Sequence, residues 1–321
     1  MKHLGISGGG TKIVGLFAAA EVIIREKNYK PDLISGISAG AILSVPLAMR
    51  MWDKMHAMLG SIKLDAFFNV LPVKEDGSFR PIHTLWQIIT GKHYLGEQYN
   101  LEKTLSKVIT QTDFTNYKTD NTFATCVVGS VDFIRGERVY INLKQVSYEN
   151  FLSMVNASSS LPVFTPGIKH GPINDFEGTK RPKEGDRLML FDGGVRDHAP
   201  TLRMLESKQW NITETCTIFS RPKNNEILKP SYKDASFPKN ILEVLNKFVD
   251  ISNTEISKDD ECLEEDFLLA NPKIIDHGRY FLPPIMNGVY DVDPSRLKQL
   301  FDAGQLNTRN DWDAHHNRVN T

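Results

Sequence analysis

The chain reads as an α/β protein with parallel strands, and three features of the sequence carry that reading. A short apolar strand at residues 2–7 runs into Gly8-Gly9-Gly10 and then into the apolar stretch of residues 11–27, which is the order strand, glycine turn, buried helix. A second apolar strand ends at Leu33-Ile34, and helix formers begin straight after Gly40. The helix of residues 11–27 and the turn at Tyr29-Lys30-Pro31 therefore join two strands by a β-α-β crossover, which sets them parallel and side by side.

The remaining elements follow in order. The helical pattern from residue 39 continues past Pro46, where a kink is predicted, into A-M-R-M-W-D-K-M-H-A-M-L-G. Met49, Met51, Met55 and Met58 with Trp52, followed by Phe67-Phe68, read as core packing, with an adaptable acyl-chain groove or an interfacial patch as the other reading. Residues 100–109 form an amphipathic helix, 123–128 a buried strand, and 132–143 a hairpin turning at Arg135-Gly136-Glu137. Residues 148–160 are helix-like and run into A-S-S-S-L-P-V-F-T-P, whose small side chains allow a close backbone approach by a partner the sequence does not name. A mobile surface loop is expected over 169–185, then a strand over 187–191 that ends in Asp192-Gly193-Gly194. Residues 213–219 are another strand and 222–238 a polar connection. Two helices follow, one over 240–251 with Ile241, Leu245 and Phe248 on one face, and one over 259–270 whose acidic charges are expected on a solvated face. Asp293-Pro294 caps a last helix that is expected to stop at Gly304, leaving the tail D-W-D-A-H-H-N-R frayed. His315-His316 in that tail are a weak metal-ligand signal.

A chain of 321 residues, 40% apolar and 24% charged, has the composition of an ordinary globular protein and the length for one large domain or two. Lys plus Arg (38) nearly balances Asp plus Glu (39), so no bulk field draws it to nucleic acid or anionic lipid. No window approaches the roughly 18 uninterrupted apolar residues of a spanning helix, and a cytoplasmic chain that meets membranes only transiently at their periphery is expected. Cys126, Cys216 and Cys262 are widely separated and in no metal-ligand spacing, which suits reduced thiols.

The chemistry centres on residues 33–41, L-I-S-G-I-S-A-G-A, where Ser38 falls on a strand-to-helix turn. Gly36 and Gly40 stand at the two places where a side chain would strike the neighbouring backbone of so sharp a turn. The serine hydroxyl is then presented at a helix start, which favours developing negative charge. The triple-glycine loop either cradles a phosphate or forms an oxyanion hole. Gly10-Thr11-Lys12 fails the Walker pattern, and Ile13 stands where a dinucleotide fingerprint needs its third glycine, so the oxyanion reading gains. Lys12 either adds positive charge there or is a solvated first-turn lysine. For the base, Ser38 comes too early for an α/β-hydrolase sheet, and of the nine histidines only His198 has a suggestive context. Asp192, held on a strand-end turn, is the better candidate; a carboxylate base needs burial to raise its proton affinity and an oxyanion hole to share the work.

At these residues the chain resembles the patatin-like phospholipases, bacterial members among them. The resemblance rests on G-G-G-T-K at Gly8-Gly9-Gly10-Thr11-Lys12, G-I-S-A-G from Gly36 to Gly40, the A-S-S-S-L-P-V-F-T-P stretch, and D-G-G at Asp192-Gly193-Gly194. It implies a three-layer α/β/α sandwich with a mainly parallel central sheet. It implies a single domain over residues 1–321, with a catalytic core at about 1–220 and a C-terminal helical extension at about 221–321. It further implies a serine lipid acyl hydrolase of the phospholipase A or lysophospholipase type, acting on lipid at a membrane surface through an acyl-enzyme, without metal or cofactor. Ser38 and Asp192 would be the catalytic dyad, the amides of Gly8, Gly9 and Gly10 the oxyanion hole, with Lys12, Gly36, Gly40, Gly193 and Gly194 in support. Pro46, in the helix after the elbow, departs from the family's pattern. Two alternatives remain at this stage: a phospholipase effector switched on by a small cyclic nucleotide, and a catalytically silent scaffold.

Overall fold

The computed structural model describes residues 1–60, 62–71, 86, 89–92, 94–182, 186–223, 241–286 and 290–319. The strands are β1 (Lys2–Ile6), β2 (Leu33–Ile37), β3 (Thr125–Asp132), β4 (Glu137–Asn142), β5 (Ile168–His170), β6 (Ile173–Asn174), β7 (Lys180–Arg181), β8 (Leu188–Asp192), β9 (Glu214–Phe219) and β10 (Ile275–Phe281). The central sheet has the order β10-β9-β1-β2-β3-β8-β5, with β4 also paired to β3, while β6 and β7 form a separate hairpin. The five strands β10, β9, β1, β2 and β3 are mutually parallel; β8 and β4 run antiparallel to β3.

Both faces of this sheet are covered, as the near-continuous apolar runs of parallel strands require. Along β2 the side chains alternate, so that Ile34 joins one apolar cluster while Leu33 and Ile37 join another on the opposite face. The larger cluster packs α1 (Ile13–Glu21), α2 (Ala39–Ala48), α3 (Trp52–Gly60), α4 (Tyr99–Val108), α5 (Gln111–Thr119), α6 (Tyr148–Ser158) and α9 (Pro294–Val319). The other face carries α7 (Thr201–Glu206) and the long helix α8 (Ile241–Ala270) through Met204, Leu205 and Leu268. The architecture is the three-layer α/β/α sandwich with a mainly parallel sheet. Register is fixed by a polar contact within it: buried His3 on β1 meets Thr215 Oγ1 of β9 at 3.1 Å and Ser35 Oγ of β2 at 2.7 Å.

Several elements differ from the sequence expectation, each for a local reason. The helix at 11–27 is a 3₁₀ turn at Gly10–Lys12, then α1, then a π turn at Val22–Glu26. Pro46 lies within α2, which ends two residues later; Met51 N–H bonds the Pro46 carbonyl and Arg50 takes φ 56°, so the chain breaks and restarts as α3 instead of kinking through. Met49, Met51, Met55, Met58 and Trp52 pack on the core. Residues 111–119 contain several weak helix formers, and α5 forms there because Thr110 and Asp113 make a reciprocal capping box. The expected mobile loop holds β5, β6 and β7, with residues 183–185 outside the described residues. The polar connection, from residue 224 on, also lies outside them.

The C-terminal region departs furthest. The two helices expected after residue 240 are the single 30-residue α8, and β10 adds a strand to the sheet edge. α9 runs straight through Gly304, because glycine there lets the helix lie against α1: a Cβ on Gly304 would be 3.2 Å from the Gly15 carbonyl oxygen. The tail is docked, not frayed, since Trp312 is buried against Tyr29, Tyr280 and the ring of His277. Among the described residues no helix is long and apolar enough to cross a membrane. On α1, a Cβ at Gly15 would lie 2.9 Å from both Leu282 Cδ1 and Leu300 Cγ. Gly15→Val is therefore expected to push α9 off α1 and lower stability by about 1–3 kcal/mol, measured as a reduced urea midpoint at unchanged slope.

Candidate active site

The parallel pairing of Ile6 with Gly36 brings the ends of β1 and β2 together, so the glycine loop and the serine turn leave the sheet side by side. A Cβ built on Gly8 would lie 3.3 Å from Ser38 Cβ. Ser38 sits at φ 54° and ψ −117°, a strained backbone conformation for a residue with a side chain, costing on the order of 1–3 kcal/mol. The turn tolerates it because the flanking positions are empty: a Cβ on Gly36 would fall 2.3 Å from the Gly40 carbonyl, and one on Gly40 2.3 Å from the Ile6 carbonyl oxygen.

Asp192 arrives from the other side of β3. Ile37 pairs with Gly129, and the next residue of β3, Ser130, pairs with Asp192, so Ser38 and Asp192 flank β3 at one height although 154 positions apart. Gly193 permits this, since a Cβ there would meet the Gly129 carbonyl oxygen at 2.7 Å. The small-residue stretch expected to allow a close approach supplies the clamp. Ser158 Oγ accepts the Ser38 N–H at 3.0 Å and donates to the Gly129 carbonyl at 2.6 Å. Ser159 Oγ shares its proton between the Val155 carbonyl at 3.0 Å and the Ser38 carbonyl at 3.3 Å, and the Ser160 carbonyl accepts the Asp192 N–H at 2.8 Å.

The Asp192 carboxylate is buried, with Oδ1 accepting the Gly194 N–H at 2.8 Å and Oδ2 lacking a hydrogen-bond partner. Burial pushes its pKa up to about 7, against the opposing pull of the neighbouring Ser38 hydroxyl and the Gly194 N–H. The Ser38 hydroxyl is thus within reach of this carboxylate. His198 is also buried near Gly8, but desolvation, then the charges of Lys12 and Arg221, hold its pKa down to about 3. A group of so low a proton affinity is a poor base at neutral pH, whereas a carboxylate near 7 is well matched.

The three glycine amides are not equivalent. The Gly8 N–H donates to the His198 carbonyl at 3.0 Å, which corrects the expectation that all three point to an attacked carbonyl. The ladder takes Gly8 because the segment after the Asp192 turn runs back past the end of β1. Gly9 and Gly10 open the 3₁₀ turn at Gly10–Lys12, where first-turn amides have no acceptor within the helix. Lys12 stands at the end of that turn, and its charge reaches His198. Beside Ser38 a pocket is walled by Ile13, Ile42, Leu64, Phe67, Phe68 and Leu101. Tyr290, which no motif marks in the sequence, also lines it, with a buried hydroxyl lacking a partner and a pKa raised by burial and by the Asp192 charge.

The raised pKa of Asp192 has a consequence for stability. The unfolded chain releases this proton first, so the group's contribution is full below about pH 4 and is lost as pH rises towards 7. Asp192→Asn abolishes the loss, and is expected to be more stable than wild type at pH 8 by on the order of 2 kcal/mol, the gain vanishing near pH 4, as read from urea titrations at both pH values.

Residues 4–205 match the sequence model described as Patatin-like phospholipase, which spans the glycine loop, the serine turn, the Ser158-Ser159-Ser160 clamp and the Asp192 turn. No curated protein sequence matches the chain. Among solved structures it is similar to VipD from Legionella pneumophila, at 11% identity and a TM-score of 0.51, over 98% of this chain and 67% of that one, a likeness of fold. With the family's model matched over well more than half of its length, the chain belongs to the patatin-like phospholipases, a family of lipid acyl hydrolases.

Proposed function

We propose that this chain hydrolyses fatty-acyl esters of phospholipid or lysophospholipid through a Ser38–Asp192 dyad and an acyl-enzyme. The observation that carries the reading is the pairing of a strained, largely buried serine at the sheet edge with a buried carboxylate whose pKa is moved to about 7 and whose Oδ2 is unpartnered. In the first step Ser38 Oγ attacks the acyl carbonyl carbon while Asp192 Oδ2 takes the hydroxyl proton. The N–H groups of Gly9 and Gly10 receive the oxygen that becomes negative, and the helix start at residue 39 favours that charge. Asp192 then passes its proton to the leaving alcohol, and water, activated by the same carboxylate, frees the acyl group and restores the serine. The apolar pocket beside Ser38 takes the acyl carbons nearest the ester; at about 60 Å³ it is too small for a whole fatty chain.

Gly36, Gly40, Gly193 and Gly194 act through the turns they permit, and Lys12 by its charge near the loop. A fluorophosphonate probe is expected to label wild type and not Ser38→Ala; labelling that persists in Ser38→Ala rules the nucleophile out. With a soluble p-nitrophenyl ester, kcat/KM is expected to rise with pH through about 7 as Asp192 ionises, and to fall roughly 1,000-fold or more in Asp192→Asn. A flat profile between pH 5 and 8 contradicts the assignment of Asp192 as base.

A further inference from the structure

Helix α8 lies beyond the 4–205 family match, and the acidic stretch in its second half looked solvated in the sequence. The structure shows the reverse on one face. Ser257, Asp260 and Glu264 are all buried, and with Glu261 they repeat at the three- and four-residue spacing of one helical stripe. Ser257, Glu261 and Glu264 hold β9 and Arg221 just beyond its end, and Asp260 holds the segment before α7. The Arg221 guanidinium donates to Ser257 Oγ at 2.8 Å and pairs with Glu261; Thr217 Oγ1 donates to Glu264 Oε1 at 2.7 Å. Asp260 Oδ2 accepts two backbone amides, from His198 at 2.6 Å and Ala199 at 2.9 Å.

Those two amides belong to the segment whose His198 carbonyl receives the Gly8 N–H. The chain of contacts therefore runs from α8 through one carboxylate oxygen to the 198–199 backbone, and from there to the loop whose next two amides are the proposed oxyanion donors. We propose that Asp260 is a positioning residue for the glycine loop, making the C-terminal helix part of the apparatus that sets the oxyanion donors; this rests on the hydrolase reading above. The residue touches neither substrate nor reacting atoms. Its neighbours in charge are Asp197, Arg138 and Glu264, and nothing but the two amides satisfies Oδ2 among the described hydrogen bonds. A second anchor keeps the loop from collapsing without it: Ser7 Oγ donates to the Gly8 carbonyl and accepts the Ser220 N–H at 2.8 Å. Loss of Asp260 should thus displace the donors without unfolding the protein.

The test compares wild type, Asp260→Ala and Asp260→Asn, the last keeping a carbonyl oxygen able to accept both amides. With a soluble ester, Asp260→Ala is expected to lose roughly tenfold or more in kcat with KM within about twofold, and Asp260→Asn to recover most of that loss. In parallel, amide hydrogen exchange is measured over residues 7–13 in a Ser38→Ala background, where no turnover is needed. Faster exchange there in Asp260→Ala, and not in Asp260→Asn, is the expected result. Unchanged kcat together with unchanged loop exchange in Asp260→Ala overturns the proposal, as does an equal loss of kcat in both variants with unchanged loop exchange. A wild type without esterase activity sinks the hydrolase reading, while the exchange comparison still decides the role of Asp260.

Discussion

A single hydroxyl, Ser158 Oγ, sits where the serine turn, strand β3 and helix α6 meet, and the geometry of the site depends on it. It accepts from the Ser38 amide and donates to the Gly129 carbonyl, tying the serine turn to the strand that separates it from Asp192. Both bonds are buried, where an unsatisfied partner costs about 1–3 kcal/mol, so the arrangement is all-or-none in character. Ser159 and Ser160 extend the clamp to the Ser38 carbonyl and the Asp192 amide. A positive-φ serine and a carboxylate from a distant strand are thereby held in one small region by three consecutive residues.

The same constraint explains where the protein gives up stability. Ser38 is backbone-strained, Asp192 is buried with an orphaned oxygen, and glycines occupy positions where any side chain would strike backbone. Each is unfavourable in isolation; under the proposed mechanism strain presents the hydroxyl, and burial lifts the carboxylate towards neutral pH. The surrounding sandwich offsets these costs with two apolar layers, one on each face of the sheet, and with the docking of α9 on α1. The buried acids of α8 extend the pattern, since burial also raises Asp260 to about 7 and Glu264 to about 8.

Much of the site was legible in the sequence because its constraints are local. Gly36 and Gly40 around Ser38 announce a sharp turn, and the β-α-β order places the glycine loop beside it without knowledge of any other strand. Asp192 could be named from its strand-end Asp-Gly-Gly, and the A-S-S-S run signalled close packing, although the atoms it approaches lie 29 and 120 positions away. What escaped were features decided by distant partners. Gly8 looked like its two neighbours until the His198 carbonyl claimed its amide. Asp260 and Glu264 looked solvated because a charge pattern on a helix cannot show that backbone amides and a threonine hydroxyl await it. Trp312 made the polar tail part of the core only through rings more than 30 positions away.

The central claim is that Ser38 transfers the acyl group of a lipid to water, and lipid mass spectrometry addresses it without a surrogate substrate. Phosphatidylcholine vesicles are incubated with wild type or with Ser38→Ala, and the extracted lipids are quantified. The account predicts free fatty acid and lysophospholipid in matching amounts with wild type and neither above background with Ser38→Ala. Equal release by both proteins would contradict it.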